Sequence, residues 1–202
     1  MTQFQERLSI VMAAVKVNLK DSRTLTEDQI RTLLARYTAS VEGNFVAWMG
    51  AAAIYARSLE GQFAAKENLY VELRDNHPQM LRDFSIASTS EPEFKDYSSI
   101  SQEVVRMRSF IASANGLQVL TVMAVLEATS ELFIPYLEML AMKRNSQNII
   151  YTRIHGLFDK SHAQQFAWAI EHEAKHYEFA DQFIDDGICE ALSFLEGIFK
   201  IK

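Results

Sequence analysis

Apolar residues recur at helical spacing along almost the whole chain of 202 residues. After Thr26, for example, Leu33, Leu34, Tyr37 and Val41 follow one another at the intervals of one face of an amphipathic helix. Strict alternation of apolar and polar residues, which half-buried strands show, is nearly absent. The pattern therefore predicts an all-α protein.

Turn and cap residues divide this pattern into six or seven predicted helices. Thr26 and Gln29 have the spacing of a capping box, which would open a long helix that runs to Ser58. A helix from Glu60 is expected to end or kink at Pro78, because proline lacks the amide donor that the helix needs. The other predicted elements are helices over the first 20 residues and over residues 99–112, 117–142, 148–181 and 184–200, with the main loop at residues 85–96.

Chain length and composition favour one domain. Hydrophobic residues make up 49% of the 202 positions, which is enough for one substantial core and hardly for two. Only three prolines and seven glycines interrupt the chain, and no repeat or linker divides it. We therefore expect residues 1–202 to form a single-domain up-down helical bundle of about seven helices.

The charge balance and the apolar stretches narrow the class of protein. A net charge of −6 would repel a nucleic-acid backbone, so no nucleic acid is expected as a partner. The longest apolar stretches, such as 117–126, are about half as long as a membrane span, and the N-terminus has no signal-peptide pattern. A single cysteine, Cys189, excludes an internal disulfide. These features predict a cytoplasmic protein with no membrane partner.

Candidate chemistry begins with the histidines, since four of the five fall in the predicted helix 148–181. His155, Asp159 and His162 stand at positions i, i+4 and i+7, which places them within about 60° on one side of a helix. The same side continues through Phe166 and Ala169, so it is expected to face the core. Polar groups there are costly unless they are paired or bind a metal. The alternative is that these are surface or hydrogen-bonded core histidines.

Acidic residues occur in two further apolar helices. Glu127 and Glu131 interrupt the most apolar helix of the chain, and Glu67, Glu72 and His77 lie in the helix before Pro78. Each residue alone is more often a solvated charge than a ligand. Together with the histidine-bearing helix they form a set of nitrogen and oxygen donors that suits two iron or manganese ions. Helical bundles build di-iron sites from such residues on facing helices.

The order of these motifs resembles that of the heme-oxygenase-like diiron oxidases and oxygenases, which are relatives of the TenA and PQQ-synthesis proteins. The resemblance rests on Glu-x9-His, a single Glu in an apolar helix and His-x3-Asp-x2-His, and it covers most of the chain. It implies a heme-oxygenase/TenA-like fold and the use of O2 at two iron ions, with manganese as an alternative, to oxidise a small molecule. The iron ligands that it implies are Glu67, His77, Glu127, His155, Asp159 and His162, with Glu42 and Glu131 as additional candidates.

Two features of the ligand set remain open in the sequence. Glu67 and His77 are ten residues apart, so they would lie about 80° apart on an ideal helix and need a bulge or bend to meet. The interval between Glu127 and the histidine motif is slightly short for the family, which makes Glu131 an alternative ligand. The substrate is not indicated, and a homodimer is compatible with the sequence.

Three other functions compete with the diiron hypothesis. His172-Glu173-x-x-His176 matches the zinc-peptidase motif, with Glu196 as a candidate third ligand, although such peptidases usually bind peptides along a sheet edge. A TenA-like hydrolase without metal would need Cys189 as its nucleophile, where neighbouring acids disfavour a thiolate. The third alternative is a non-enzymatic helical bundle.

Overall fold

The computed structural model describes residues 3–200, apart from the side chains of Gln3, Asn18 and residues 157–160. Within this part of the chain there are ten α-helices and no strands, which confirms the all-α prediction. The helices are α1 (Gln3–Asn18), α2 (Glu27–Val41), α3 (Asn44–Tyr55), α4 (Leu59–Arg74), α5 (His77–Ala87), α6 (Phe94–Ser99), α7 (Ser101–Ser113), α8 (Gly116–Lys143), α9 (Ile150–Glu173) and α10 (Ala180–Phe199). Short 3₁₀ turns occupy Ser22–Thr24 and Ala174–His176.

Helix α8 forms the centre of the bundle. It packs against α9, α10, α3 and α1, and most of its 28 residues are buried. Asn115 and Gln118 cap its start reciprocally, and Pro135 lies inside the helix without ending it. By length and composition α8 is apolar enough to cross a membrane, but 83% of its most apolar window is buried in the bundle. This arrangement is consistent with a soluble protein.

The predicted long helix from Thr26 to Ser58 is two helices. The capping box of Thr26 and Gln29 is present as expected, but α2 ends at Val41 and α3 begins at Asn44. Gly43 between them has φ 74°, the left-handed conformation that glycine adopts at little cost. This break places Glu42 at the end of a helix, beside a pocket of the bundle.

A second break falls between α4 and α5, earlier than Pro78. Helix α4 ends at Arg74, and Asn76 adopts a left-handed conformation with φ 54°. Pro78 then lies in the first turn of α5, where its missing amide costs no helical hydrogen bond. His77 therefore begins a new helix instead of ending α4.

The described residues form ten helices, whereas about seven were predicted. The difference arises because short helices occupy segments that were expected to be loop or continuous helix. Within residues 85–96, α5 continues to Ala87 and α6 begins at Phe94. Helix α6 is held to α2 by a buried ion pair, in which Arg31 Nη2 lies 2.7 Å from Asp96 Oδ1. Helix α9 ends at Glu173, eight residues before the expected boundary.

Candidate metal centre

Three helices bring together one carboxylate and two imidazoles. Glu72 from α4, His77 from α5 and His155 from α9 each offer a donor atom, and these atoms lie within 4.8 Å of one another. Glu72 and His77 are buried, with relative exposures of 6% and 3%, and His155 is partly buried. The chain reversal at Asn76 makes this possible, because it turns His77 back toward the last turn of α4.

Glu72 orients the ring of His77. The Nδ1 atom of His77 lies 2.8 Å from Glu72 Oε1, so an Nδ1–H donates to the carboxylate. The opposite ring nitrogen, Nε2, is buried and has no hydrogen-bond partner among the described residues. Buried polar atoms are rarely left so. A histidine whose Nδ1 is held by a carboxylate and whose Nε2 points at a metal is a common arrangement of metal ligands.

His155 is held beside His77 by aromatic contacts. Its ring centroid lies 4.8 Å from that of His77, with 63° between the ring planes, and 4.4 Å from that of Tyr151. The Tyr151 hydroxyl is in turn 2.8 Å from the Tyr37 hydroxyl, and both tyrosines are buried. These contacts fix the imidazole of His155 at the wall of the pocket.

A second pair of candidate ligands lies on α8 and α9. Glu127, 4% exposed, lines the same pocket as Glu72, His77 and His155. Its Oε2 is 3.7 Å from Nδ1 of His162, whose side chain is 12% exposed. The structure therefore places a carboxylate of α8 in the same pocket as the first group and beside a second histidine of α9.

The structure corrects the assignment of Glu67. Its side chain is exposed, whereas Glu72, five residues later in α4, is buried and contacts His77. Five residues correspond to about 140° around a helix, so the two carboxylates cannot face the same way. The family resemblance implied Glu67, ten residues before His77, and required a bulge or bend between the two. Only the helix break at Asn76 identifies Glu72 as the acid that can reach it.

Glu131 and Asp159, two further sequence candidates, have different outcomes. Glu131 is exposed and lines a shallow groove with Ala128 and residues of α1, so it does not join the group around Glu127. Asp159 lies in α9, but its side chain is outside the described residues, and its role stays a prediction.

Glu42, the additional family carboxylate, lies in the wall of the pocket and is paired with a cation. It accepts a hydrogen bond from the guanidinium of Arg82, whose side chain is half exposed. This bond raises the pKa of the Arg82 guanidinium. Burial raises the pKa of Tyr97, and the nearby Glu42 carboxylate raises it further. The ion pair therefore places a charged group beside the apolar part of the pocket.

The pocket has a cavity volume of about 50 Å³, within a wider space of about 650 Å³ that includes open solvent. Apart from the carboxylates, histidines and tyrosines described above, its walls are mainly aliphatic and aromatic, and they come from α2, α3, α5, α8 and α10. The apolar lining residues are Val41, Phe45, Val46, Trp48, Leu81, Leu126, Phe133, Ile134, Phe194, Leu195 and Ile198. A small, largely apolar molecule fits this lining better than a highly charged one.

The zinc-peptidase motif has a different place in the structure. Helix α9 ends at Glu173, and the exposed His176 lies in the following 3₁₀ turn, so the two histidines do not share one continuous helix. The Glu173 carboxylate is fully buried and accepts hydrogen bonds from the start of α4. His172 Nδ1 lies 3.0 Å from the carbonyl oxygen of Trp168. A zinc site with a water-activating glutamate is not supported by this geometry.

Cys189 likewise lies away from the pocket. It is a free, exposed cysteine on α10 and does not line the cavity. A hydrolase that acts in the pocket would therefore lack its only candidate thiol nucleophile. Comparison of the chain with models of known protein families and with curated proteins finds no match.

Proposed function

We propose that the protein is an iron-dependent, O2-using oxidase or oxygenase of small, largely apolar molecules. The observation that carries the proposal is the buried Nε2 of His77, which has no hydrogen-bond partner among the described residues. His77 belongs to a group with Glu72 and His155 in which one donor atom of each residue lies within 4.8 Å of the others. Carboxylate and imidazole donors from facing helices suit iron or manganese.

The chain's residues divide into two candidate ligand groups. His77, through Nε2, and His155 would bind one ion, with Glu72 as the carboxylate that orients His77, while Glu127 and His162 would supply the second, together with Asp159 as the sequence predicts. The first group has its orienting contact already in place, because Glu72 fixes the Nδ1 side of His77. When bound, the iron would supply the electrons and the open coordination positions that O2 reduction needs.

The remaining residues of the pocket would bind the substrate and exclude water. Phe45, Trp48 and Phe194 are among the apolar residues that surround the carboxylates and histidines, so a substrate that fills the space would displace solvent from them. The pair of Glu42 and Arg82 would orient a polar end of the substrate at the wall of the pocket. We place this reaction in the cytoplasm, where a free, exposed cysteine such as Cys189 remains reduced.

Anaerobic titration with Fe(II) tests the metal site directly. The metal-free chain is expected to bind about two equivalents. His77→Ala and Glu72→Ala should each remove or weaken at least one site, because they delete a donor and the group that orients it. Glu67→Ala is the matched control: it removes an exposed carboxylate from the same helix and should leave iron uptake unchanged.

Two results would contradict the proposal. If the folded chain takes up no Fe(II) or Mn(II), the non-enzymatic bundle is the better description. If Glu67→Ala weakens binding while Glu72→Ala does not, the ligand set is the one that the sequence implied and not the one that the structure assembles. Oxygen uptake by the iron-loaded protein, measured with a panel of apolar carboxylic acids and amines, then tests the reaction class.

A further inference from the structure

The outer face of α4 carries a stripe of large, exposed apolar side chains, in which Arg74 of the same helix lies over the ring of Tyr70. Leu59, Phe63, Tyr70 and Leu73 have relative exposures of 79%, 56%, 58% and 58%. Their spacing keeps them on one side of the helix, within about 80° of arc. Scattered exposed apolar residues are normal, but a continuous stripe of this kind marks an interaction surface. We call these four residues the α4 stripe.

The neighbouring helix α3 extends this apolar character. Residues 44–55 contain no charged side chain, although part of the helix faces outward. Ile54 is 78% exposed, five residues from Leu59 across the hairpin turn, and a Cβ added to Gly50 would meet nothing within 4 Å. Helices that are apolar all round are normally buried. The exposed side of α3 is therefore a second indication that this hairpin is covered in the assembled protein.

Two charged residues that lie between the members of the α4 stripe indicate which partner covers it. Lys66 and Glu67 are adjacent, exposed and central between Leu59 and Leu73. If two copies of α4 pack antiparallel about an axis between these two residues, each Lys66 faces Glu67 of the other copy. The same axis places each Phe63 opposite Tyr70 of the other copy. A parallel arrangement would instead set like charges against each other.

We propose that the α4 stripe is the two-fold interface of a homodimer in which α4 packs antiparallel against α4 of a second copy. Such an interface requires one surface patch to be complementary to itself, and the order of charges and aromatic rings along α4 meets that requirement. The proposal does not depend on the metal site. Glu72 lies on the inner, buried side of the same helix, away from the α4 stripe.

The size of the surface is adequate for a stable dimer. A helix of 16 residues is about 24 Å long, and two packed helices present a face roughly 20 Å wide. The projected area is then roughly 500 Å², and the accessible area of such an uneven surface approaches the ~800 Å² that a standard interface buries on each partner. Phe63 and Tyr70 lie near the middle of this face, where binding energy is concentrated.

Sedimentation velocity over micromolar protein concentrations tests the apolar part of the proposal. The unaltered protein should sediment as a dimer, and Phe63→Asp should raise its dissociation constant at least about 100-fold, since it buries two unpaired charges at the contact. Phe94→Asp is the matched control: Phe94 is 87% exposed, but it lies on α6, and its replacement should leave the dimer unchanged. Circular dichroism should show the same helix content for all three proteins.

A charge exchange tests the antiparallel arrangement. Lys66→Glu and Glu67→Lys alone should each weaken the dimer about tenfold, because each replaces two opposite-charge contacts by like-charge contacts. The double exchange should restore the dissociation constant to within about threefold of the original, because the pairs re-form with reversed sign. A monomer at all concentrations, or a dimer that Phe63→Asp does not weaken, would overturn the proposal. A double exchange that fails to restore the dimer would overturn the antiparallel contact of α4 with α4.

Discussion

Replacing the buried Glu173 should destabilise the bundle, although the residue lies outside the pocket. Its carboxylate is fully buried and accepts hydrogen bonds from the backbone amides of Arg57 and Ser58, at 2.9 Å and 2.7 Å. It also accepts from the Ser58 hydroxyl at 2.6 Å and from the Tyr177 hydroxyl at 3.1 Å. Arg57 and Ser58 immediately precede α4, where amides have no partner within the helix. Glu173 thus joins the end of α9 to the start of α4.

The size of the effect follows from the donors that lose their acceptor. Glu173→Ala leaves two amides and two hydroxyls without their acceptor, and each buried unsatisfied group costs about 1–3 kcal/mol. Because the hydroxyls can rotate to other partners, we expect a total loss of about 3–5 kcal/mol. Glu173→Gln keeps one oxygen but turns an amide group toward a donor, so about 2 kcal/mol should be lost. For a chain of this length, the alanine variant should melt roughly 10 °C lower.

Urea denaturation followed by far-UV circular dichroism measures these free energies of unfolding. Glu171→Gln is the control, because Glu171 is exposed in the same helix and its replacement should change stability by no more than about 0.5 kcal/mol. The expected loss of stability would be contradicted if Glu173→Gln unfolded at the same urea concentration as the unaltered protein. That result would mean that the buried carboxylate does not hold the start of α4.

Three further substitutions test the packing at other points. Gly116→Ala should cost about 1–3 kcal/mol in the same denaturation assay, because a Cβ there would lie 2.3 Å from the carbonyl oxygen of Tyr55 and force α8 away from α3. Gly156→Ala, in open space on α9, should instead stabilise the chain by up to about 1 kcal/mol, because alanine favours helix. Asp96→Asn should cost about 3 kcal/mol, since it removes the buried carboxylate that pairs with the partly buried guanidinium of Arg31; an unchanged urea midpoint would show that this pair does not tether α6.

The amino-acid sequence by itself determined the helical class and much of the local architecture. The period of apolar residues and the capping box at Thr26 each act within one or two helical turns, so they can be read without the fold. The same holds for Glu127, because a charge inside the most apolar helix of the chain has to find a partner. Its burial beside His162 is what that local pattern predicts.

Only the tertiary structure decided which acid meets His77 and what Glu173 does. The choice of Glu72 over Glu67 depends on the left-handed backbone at Asn76. This conformation costs free energy for any residue with a side chain. It persists because the packing around Asn76 fixes the change of chain direction. The backbone amides that donate to Glu173 lie more than 100 residues away in the sequence. A short motif carries no information about such distant amides, because burial is a property of the whole bundle.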